Sequence, residues 1–302
     1  ERDVALRSDL AEMNPTITDY ASQLAIACTN LAGRWSDVGN FDESRKLYEK
    51  SISIFERLVE QQPTTTKFAW QLGAAHQNLA TMLVRQGAFP DASAEYERAL
   101  TEYRNLRNLS HDDPVVEIKT SHALMSAGWA LLNQERFKEA DSLYTEALDI
   151  LSTLSHSLTP TQRVEVLDHT ITAHNRLATI HDALEMTEQA DRDRTRTDEA
   201  EQALLGLLEE QFEAAEEKSS LRIGLASALN NRATKLVATG RNSQARDLFK
   251  RMIEVFDDPE GPAGLAAVEA ELVARGHGNV GWIDLLEGRL EQAIERSTLG
   301  VR

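Results

Sequence analysis

Apolar residues recur along this chain at helical spacing, and the helical segments recur in turn at a much longer one. Phe41, Phe89 and Phe137 stand 48 residues apart (89 − 41 and 137 − 89). Each opens a segment with one order of side chains. Gly39-Asn40-Phe41, Gly87-Ala88-Phe89 and Glu135-Arg136-Phe137 lead into Ser44, Ala92 and Ala140, then Tyr48, Tyr96 and Tyr144, then Ser51, Ala99 and Ala147. Ahead of each turn lies a matching element: Asn30-Leu31-Ala32, Asn78-Leu79-Ala80 and the weaker Ser126-Ala127-Gly128. Fainter copies follow at Leu177-Ala178 with Ala190, at Arg232-Ala233 with Gly240, Ala245 and Phe249, and at Val280-Gly281 with Gly288 and Ala293. No alternation of useful length signals a strand.

The pattern predicts pairs of long helices. First helices are expected at Thr16–Val38, Thr65–Gln86, Asp113–Gln134, Thr161–Leu184, Ser219–Thr239 and Pro262–Leu286, and second helices at Phe41–Gln62, Phe89–Ser110, Phe137–His156, Thr187–Glu217, Asn242–Asp257 and from Leu290 onward. Gly39, Gly87, Gly240 and Gly288 stand where a first helix ends, because a left-handed residue there costs glycine least. The alanines and glycines of the repeat mark where the two helices cross, since close approach needs small side chains. The fourth unit departs most. It has Glu185 in place of the turn glycine, lacks both aromatics, and carries the charged run Asp191-Arg192-Asp193-Arg194-Thr195-Arg196. Its second helix should be about seven residues longer, the excess of its 55-residue turn spacing (240 − 185) over 48.

This order of small and large residues resembles the tetratricopeptide repeat, a helix-turn-helix unit with a standard period of about 34 residues. The long period is similar to kinesin light chain repeats and to the arrays appended to bacterial serine/threonine protein kinases. The resemblance implies an all-α fold, a right-handed superhelical solenoid of about six stacked antiparallel hairpins with truncated ends. Residues 1–302 read as one array: 1–14 as the end of a preceding repeat, then 15–62, 63–110, 111–159, 160–217, 218–258 and 259–302. Glu1–Met13 aligns with Glu49–Gln61, so the chain should open inside a second helix and belong to a longer polypeptide.

Composition narrows the partners. A formal charge of −17 opposes a nucleic-acid or anionic-membrane role, both of which need clustered Lys and Arg. A basic or neutral protein or peptide is expected instead. The single cysteine, Cys28, excludes a disulfide framework and suits a reducing, cytoplasmic setting, buried within Ala25-Ile26-Ala27-Cys28.

Catalytic signatures are missing: the sequence has no Gly-rich phosphate loop, no His-Glu-x-x-His and no Gly-x-Ser-x-Gly. The best metal candidate is His174 with His181, near Asp182 and His169. Two helical turns, about 10.5 Å of rise, separate these histidines, too far to share a zinc with bonds near 2 Å. No metal or other cofactor is expected, and no enzyme. His76, His174 and His277 recur two residues before Asn78, Arg176 and Asn279, which predicts a repeated packing role between helices.

The candidate binding residues are an asparagine ladder. Asn30, Asn78, Asn231 and Asn279 occupy equivalent places, with Ser126 and Arg176 in the other two units. In the resembling family this first-helix face lines a concave groove in which an Asn bonds an extended peptide's backbone. A carboxamide both donates and accepts, so it suits a peptide bond of any sequence. Arg85, Trp129, Asn133, Asn175, Asn230 and Trp282 should share the groove, the tryptophans as apolar anchors. Relatives that clamp a terminal carboxylate do so with Lys and Arg, and the matching flanks here are Thr29, Gln77, Met125 and His122, which disfavours an acidic ligand. The expected function is a non-catalytic scaffold within a larger signalling protein. The alternative is a self-association or regulatory spacer module of a bacterial serine/threonine kinase.

Overall fold

The computed structural model describes residues 2–110, 113–154, 158–215, 219–256 and 267–299. Among them the chain forms thirteen helices and no strand: α1 Arg2–Met13, α2 Thr18–Asp37, α3 Phe41–Gln61, α4 Thr66–Gln86, α5 Phe89–Leu109, α6 Pro114–Leu132, α7 Phe137–Thr153, α8 Pro160–Ala183, α9 Thr187–Ala214, α10 Ser219–Ala238, α11 Asn242–Glu254, α12 Ala267–Leu286 and α13 Leu290–Leu299. The helices pair in sequence as hairpins, α2 with α3 through α12 with α13, and α1 packs on α2. The expected bounds hold to within a few residues. The expected ends at His156, Glu217 and Asp257 and the start at Pro262 lie outside the described residues. Helix α9 is 28 residues long against 21 for α3 and α5, the seven-residue excess that the spacing predicted (28 − 21).

Two compact units result, Glu1–Thr197 and Asp198–Arg302, each with its own core. In the first, every second helix packs against the first helix that follows it: α3 on α4, α5 on α6, α7 on α8. The first helices also lie beside one another, α2 by α4, α4 by α6 and α6 by α8, and no comparable pairing joins α3, α5 and α7. The first helices therefore form a continuous inner layer, covered on one side by the second helices. In the second unit α10 and α12 are neighbours in the same way.

The crossing points explain the small residues. Ala32, Ala80, Ala92 and Ala140 are fully buried there, with Tyr48, Tyr96 and Tyr144 packed into the same core. Where the first hairpin has serine instead of alanine, the hydroxyl bonds the facing helix: Ser44 Oγ donates to the Ala32 carbonyl at 2.8 Å and Ser51 Oγ to that of Ala25 at 2.9 Å. A buried hydroxyl is thereby satisfied without widening the contact.

The turns are set by left-handed residues. Gly39, Gly87, Gly240 and Gly288 have φ between +74° and +81°, and Glu135 and Glu185 take the same place at +58° and +59°. A side chain there carries strain that glycine avoids. Helix starts carry their own signals: the Asn40 side chain accepts from the Glu43 N–H, and Thr159 with Gln162 forms a capping box ahead of Pro160.

Two substitutions should move stability in opposite directions. A Cβ at Gly128 would lie 2.8 Å from Cε2 of the buried Tyr144, so Gly128→Ala should destabilise by about 1–3 kcal/mol. Glu135→Gly relieves the left-handed strain and should stabilise by up to about 1 kcal/mol. Urea unfolding of the two variants beside the wild type measures both.

Candidate functional site

The inner layer of first helices leaves one face uncovered. On it Asn30 of α2, Asn78 of α4 and Asn175 of α8 are exposed, and among the described residues none of their carboxamides has a protein partner. In the second unit Asn231 of α10 is exposed, Asn279 of α12 is half-buried, and Trp282 is 55% exposed. Asn230 is half-buried with its Oδ1 unpaired.

Other candidates are committed to neighbours. Arg85 reaches back from α4 to α2, with Nη1 2.9 Å from Asp37 Oδ1 and 3.0 Å from Ser36 Oγ. Asn133 closes its own helix, its Nδ2 donating to the Trp129 carbonyl at 2.8 Å. The guanidinium of Arg176 lies 4.0 Å from the Trp129 ring centre, a cation–π contact between α8 and α6. Of the expected flanking positions, Met125 is buried in the core, and Thr29 turns to Ser51 at 2.8 Å.

Two histidines seam α6 to α8. His122 and His169 stack with ring centres 5.4 Å apart and planes 19° from parallel. Gln77 Nε2 donates to His122 Nδ1 at 2.7 Å, so that ring carries its proton on Nε2, and Gln77 Oε1 accepts from Tyr103 at 3.0 Å. Desolvation, then the charge of the neighbouring ring, lowers the pKa of His169 to about 4, and desolvation with Lys119 lowers that of His122. Both imidazoles are neutral at neutral pH, as a stacked pair requires.

Three further histidines clasp helices within a hairpin. His76 Nδ1 donates to Glu95 Oε2 at 2.7 Å and His174 Nδ1 to Asp193 Oδ1 at 2.8 Å; in the last hairpin Arg296 Nη1 lies 3.4 Å from His277 Nδ1. Each partner is 19 residues on, which bears out the packing role read from the recurrence. In the alternate hairpins the two positions hold Cys28 and Leu47, Leu124 and Leu143, and Leu229 and Leu248. Burial raises the Cys28 thiol pKa, so it is an inert part of the core.

His181 does not assemble a metal centre with His174. Both histidines turn to the same carboxylate: His181 Nδ1 lies 2.7 Å from Asp193 Oδ2, and its Nε2 lies 2.9 Å from Asp141 Oδ1 of α7. Among the described residues no group of three or more His, Cys, Asp or Glu is placed to hold a metal ion. Asp193, which the sequence places in a solvated charged run, is 5% exposed and is the hub of this network. The signal was present, because Asp193 is in register with Glu95.

Residues 24–63, the greater part of the α2–α3 hairpin, match the tetratricopeptide repeat family in sequence. That hairpin is a tetratricopeptide repeat. Its fold is similar to that of BtubC (BKLC) from P. vanneervenii, at 18% identity over 85% of this chain and 88% of that one, with a TM-score of 0.55. The apo form of RapI is also similar, at 10% identity over 98% of this chain and 69% of that one, with a TM-score of 0.54. Identities this low speak for fold alone. No curated protein matches the chain in sequence. The inner layer of first helices described above is the face on which the expectation of a groove rested. No helix among the described residues is long and apolar enough to cross a membrane.

The stacked histidines give the array a pH signature. Their folded pKa values lie below the ordinary value of about 6.5, so the unfolded chain binds protons first as pH falls. The stability they contribute is present above pH about 6.5 and is lost progressively toward pH about 4. His169→Asn should flatten that part of the stability profile relative to wild type, as read by urea midpoints at half-unit pH steps.

Proposed function

We propose that this protein is a non-catalytic tetratricopeptide repeat scaffold that holds an extended segment of a partner protein against its exposed first-helix face. The observation that carries this is the set of unengaged carboxamides at Asn30, Asn78 and Asn175, exposed on the inner helices α2, α4 and α8 of the first unit. Such groups neither cap helices nor brace loops, the work that would otherwise account for recurring asparagines. An extended peptide brings its own unsatisfied N–H and C=O groups, and a carboxamide meets either one.

Trp129, in contact with Arg176, supplies an apolar platform between the ladder positions, suited to an aliphatic or aromatic side chain of the bound segment. The bound segment is basic or neutral. Arg85 is already neutralised by Asp37, and the chain as a whole carries −17.

Fluorescence anisotropy against a library of labelled peptides tests this. The double variant Asn30→Ala, Asn78→Ala should weaken the best ligand about tenfold, roughly 1 kcal/mol or somewhat less for each lost hydrogen bond. Melting temperature should stay unchanged, since both residues are exposed and unpaired. Equal affinity for wild type and double variant would remove the groove from the account.

A further inference from the structure

The side of the first unit formed by the second helices carries a feature that peptide capture in the groove does not use. Between α3, α4 and α5 lies a crevice of about 470 Å³, within the range of small-ligand sites. His76 lines it and is 4% exposed. Its Nδ1 is held by Glu95, whose other oxygen takes Arg98 Nη1 at 2.5 Å, and its Nε2 has no partner among the described residues. With Nδ1 donating to Glu95, the ring's acceptor position is Nε2. Arg45 lies 3.9 Å from Asp91, so the basic lining groups are both matched by acids. Glu49 and Glu56, two turns apart on α3, line the same crevice with no ion-pair partner among the described residues. Burial raises the pKa of Glu102, against the opposing influence of His76 and with a smaller contribution from Glu56.

The repeat supplies an internal comparison. In the fourth hairpin His181, seven residues after His174, takes the second oxygen of Asp193, as Arg98 takes that of Glu95, and also bonds Asp141. In the sixth hairpin Asp284, seven after His277, is held by Arg246 and Arg289, each at 2.9 Å. The residue seven after His76 is Leu83, which can offer neither bond. The equivalent crevice beside α13 has Lys250 where this one has Glu49.

We propose that the α3–α4–α5 crevice is a second binding site, for a single alkylammonium or guanidinium group. Its N–H bonds are accepted by His76 Nε2, and its charge is met by Glu49 and Glu56. It lies apart from the inner face and does not depend on peptide capture there.

The full chain, with histidine rings isotope-labelled, is titrated with N-acetyl-lysine amide, N-acetyl-arginine amide and the neutral N-acetyl-glutamine amide. The His76 ring resonances should shift saturably with one or both cations and not with the neutral probe. Glu49→Lys, which places at this position the residue the chain already tolerates as Lys250, should weaken that response at least fivefold. The double variant His76→Leu, Glu95→Leu restores the side chains found at Leu124 and Leu143, so it should fold and lose the remaining cation-specific response at neighbouring amides. Unmoved His76 signals, equal shifts with the neutral probe, or a Glu49→Lys protein that responds as the wild type would each overturn the site.

Discussion

Everything in this molecule depends on two long helices crossing closely inside each hairpin. Contact at that distance excludes any side chain much larger than alanine from the crossing point, and Ala32, Ala80, Ala92 and Ala140 are accordingly without accessible surface. The tyrosines can then lie flat in the same layer, their hydroxyls reaching polar groups at its edge, as Tyr96 does to Thr81 at 3.2 Å. Burial raises the phenol of Tyr144 to about 12, a measure of how little water reaches it. Because the second helices bury their apolar sides between successive first helices, the opposite face of the first helices is left uncovered, and only some of its side chains, such as Arg85 and Arg176, are tied to neighbours. That freedom is what the proposed capture of a partner segment would draw on.

Fold and site differed in how much of them could be read from residues alone. Periodic small residues, aromatics and turn glycines located the hairpins, and even the excess length of α9 followed from turn spacing. These features are legible because each is forced by local geometry and repeated several times. Side-chain partnerships are not. Asn133 reads like its neighbours on the ladder, yet it sits at a helix end where the nearest acceptor is the Trp129 carbonyl. Asp193 lies in a run of exposed charges, and only its position against His174 and His181 shows it to be interior. The stack of His122 on His169 joins residues 47 positions apart (169 − 122) on different hairpins, a separation that no single-helix pattern encodes.

The clasps also separate two kinds of specification. His76 with Glu95, and His174 with Asp193, bind the halves of one hairpin and ask only that both halves be present. Asp141 with His181, Ser93 with Gln134, and Arg246 with Asp284 join a second helix to the first helix of the unit that follows. Each of these pairs is chemically different from the others: an acid meets an imidazole, a hydroxyl meets an amide, a guanidinium meets an acid.

A buried polar group left facing the wrong partner is costly, so these junctions act as keys. Hairpins transposed within the array would keep their internal clasps and crossing alanines, yet would set Arg246 against Leu83 or Asp141 against Leu131. The succession of units is thus written into the buried polar chemistry of their seams, and a gene built by duplication would have become resistant to reshuffling once those seams diverged.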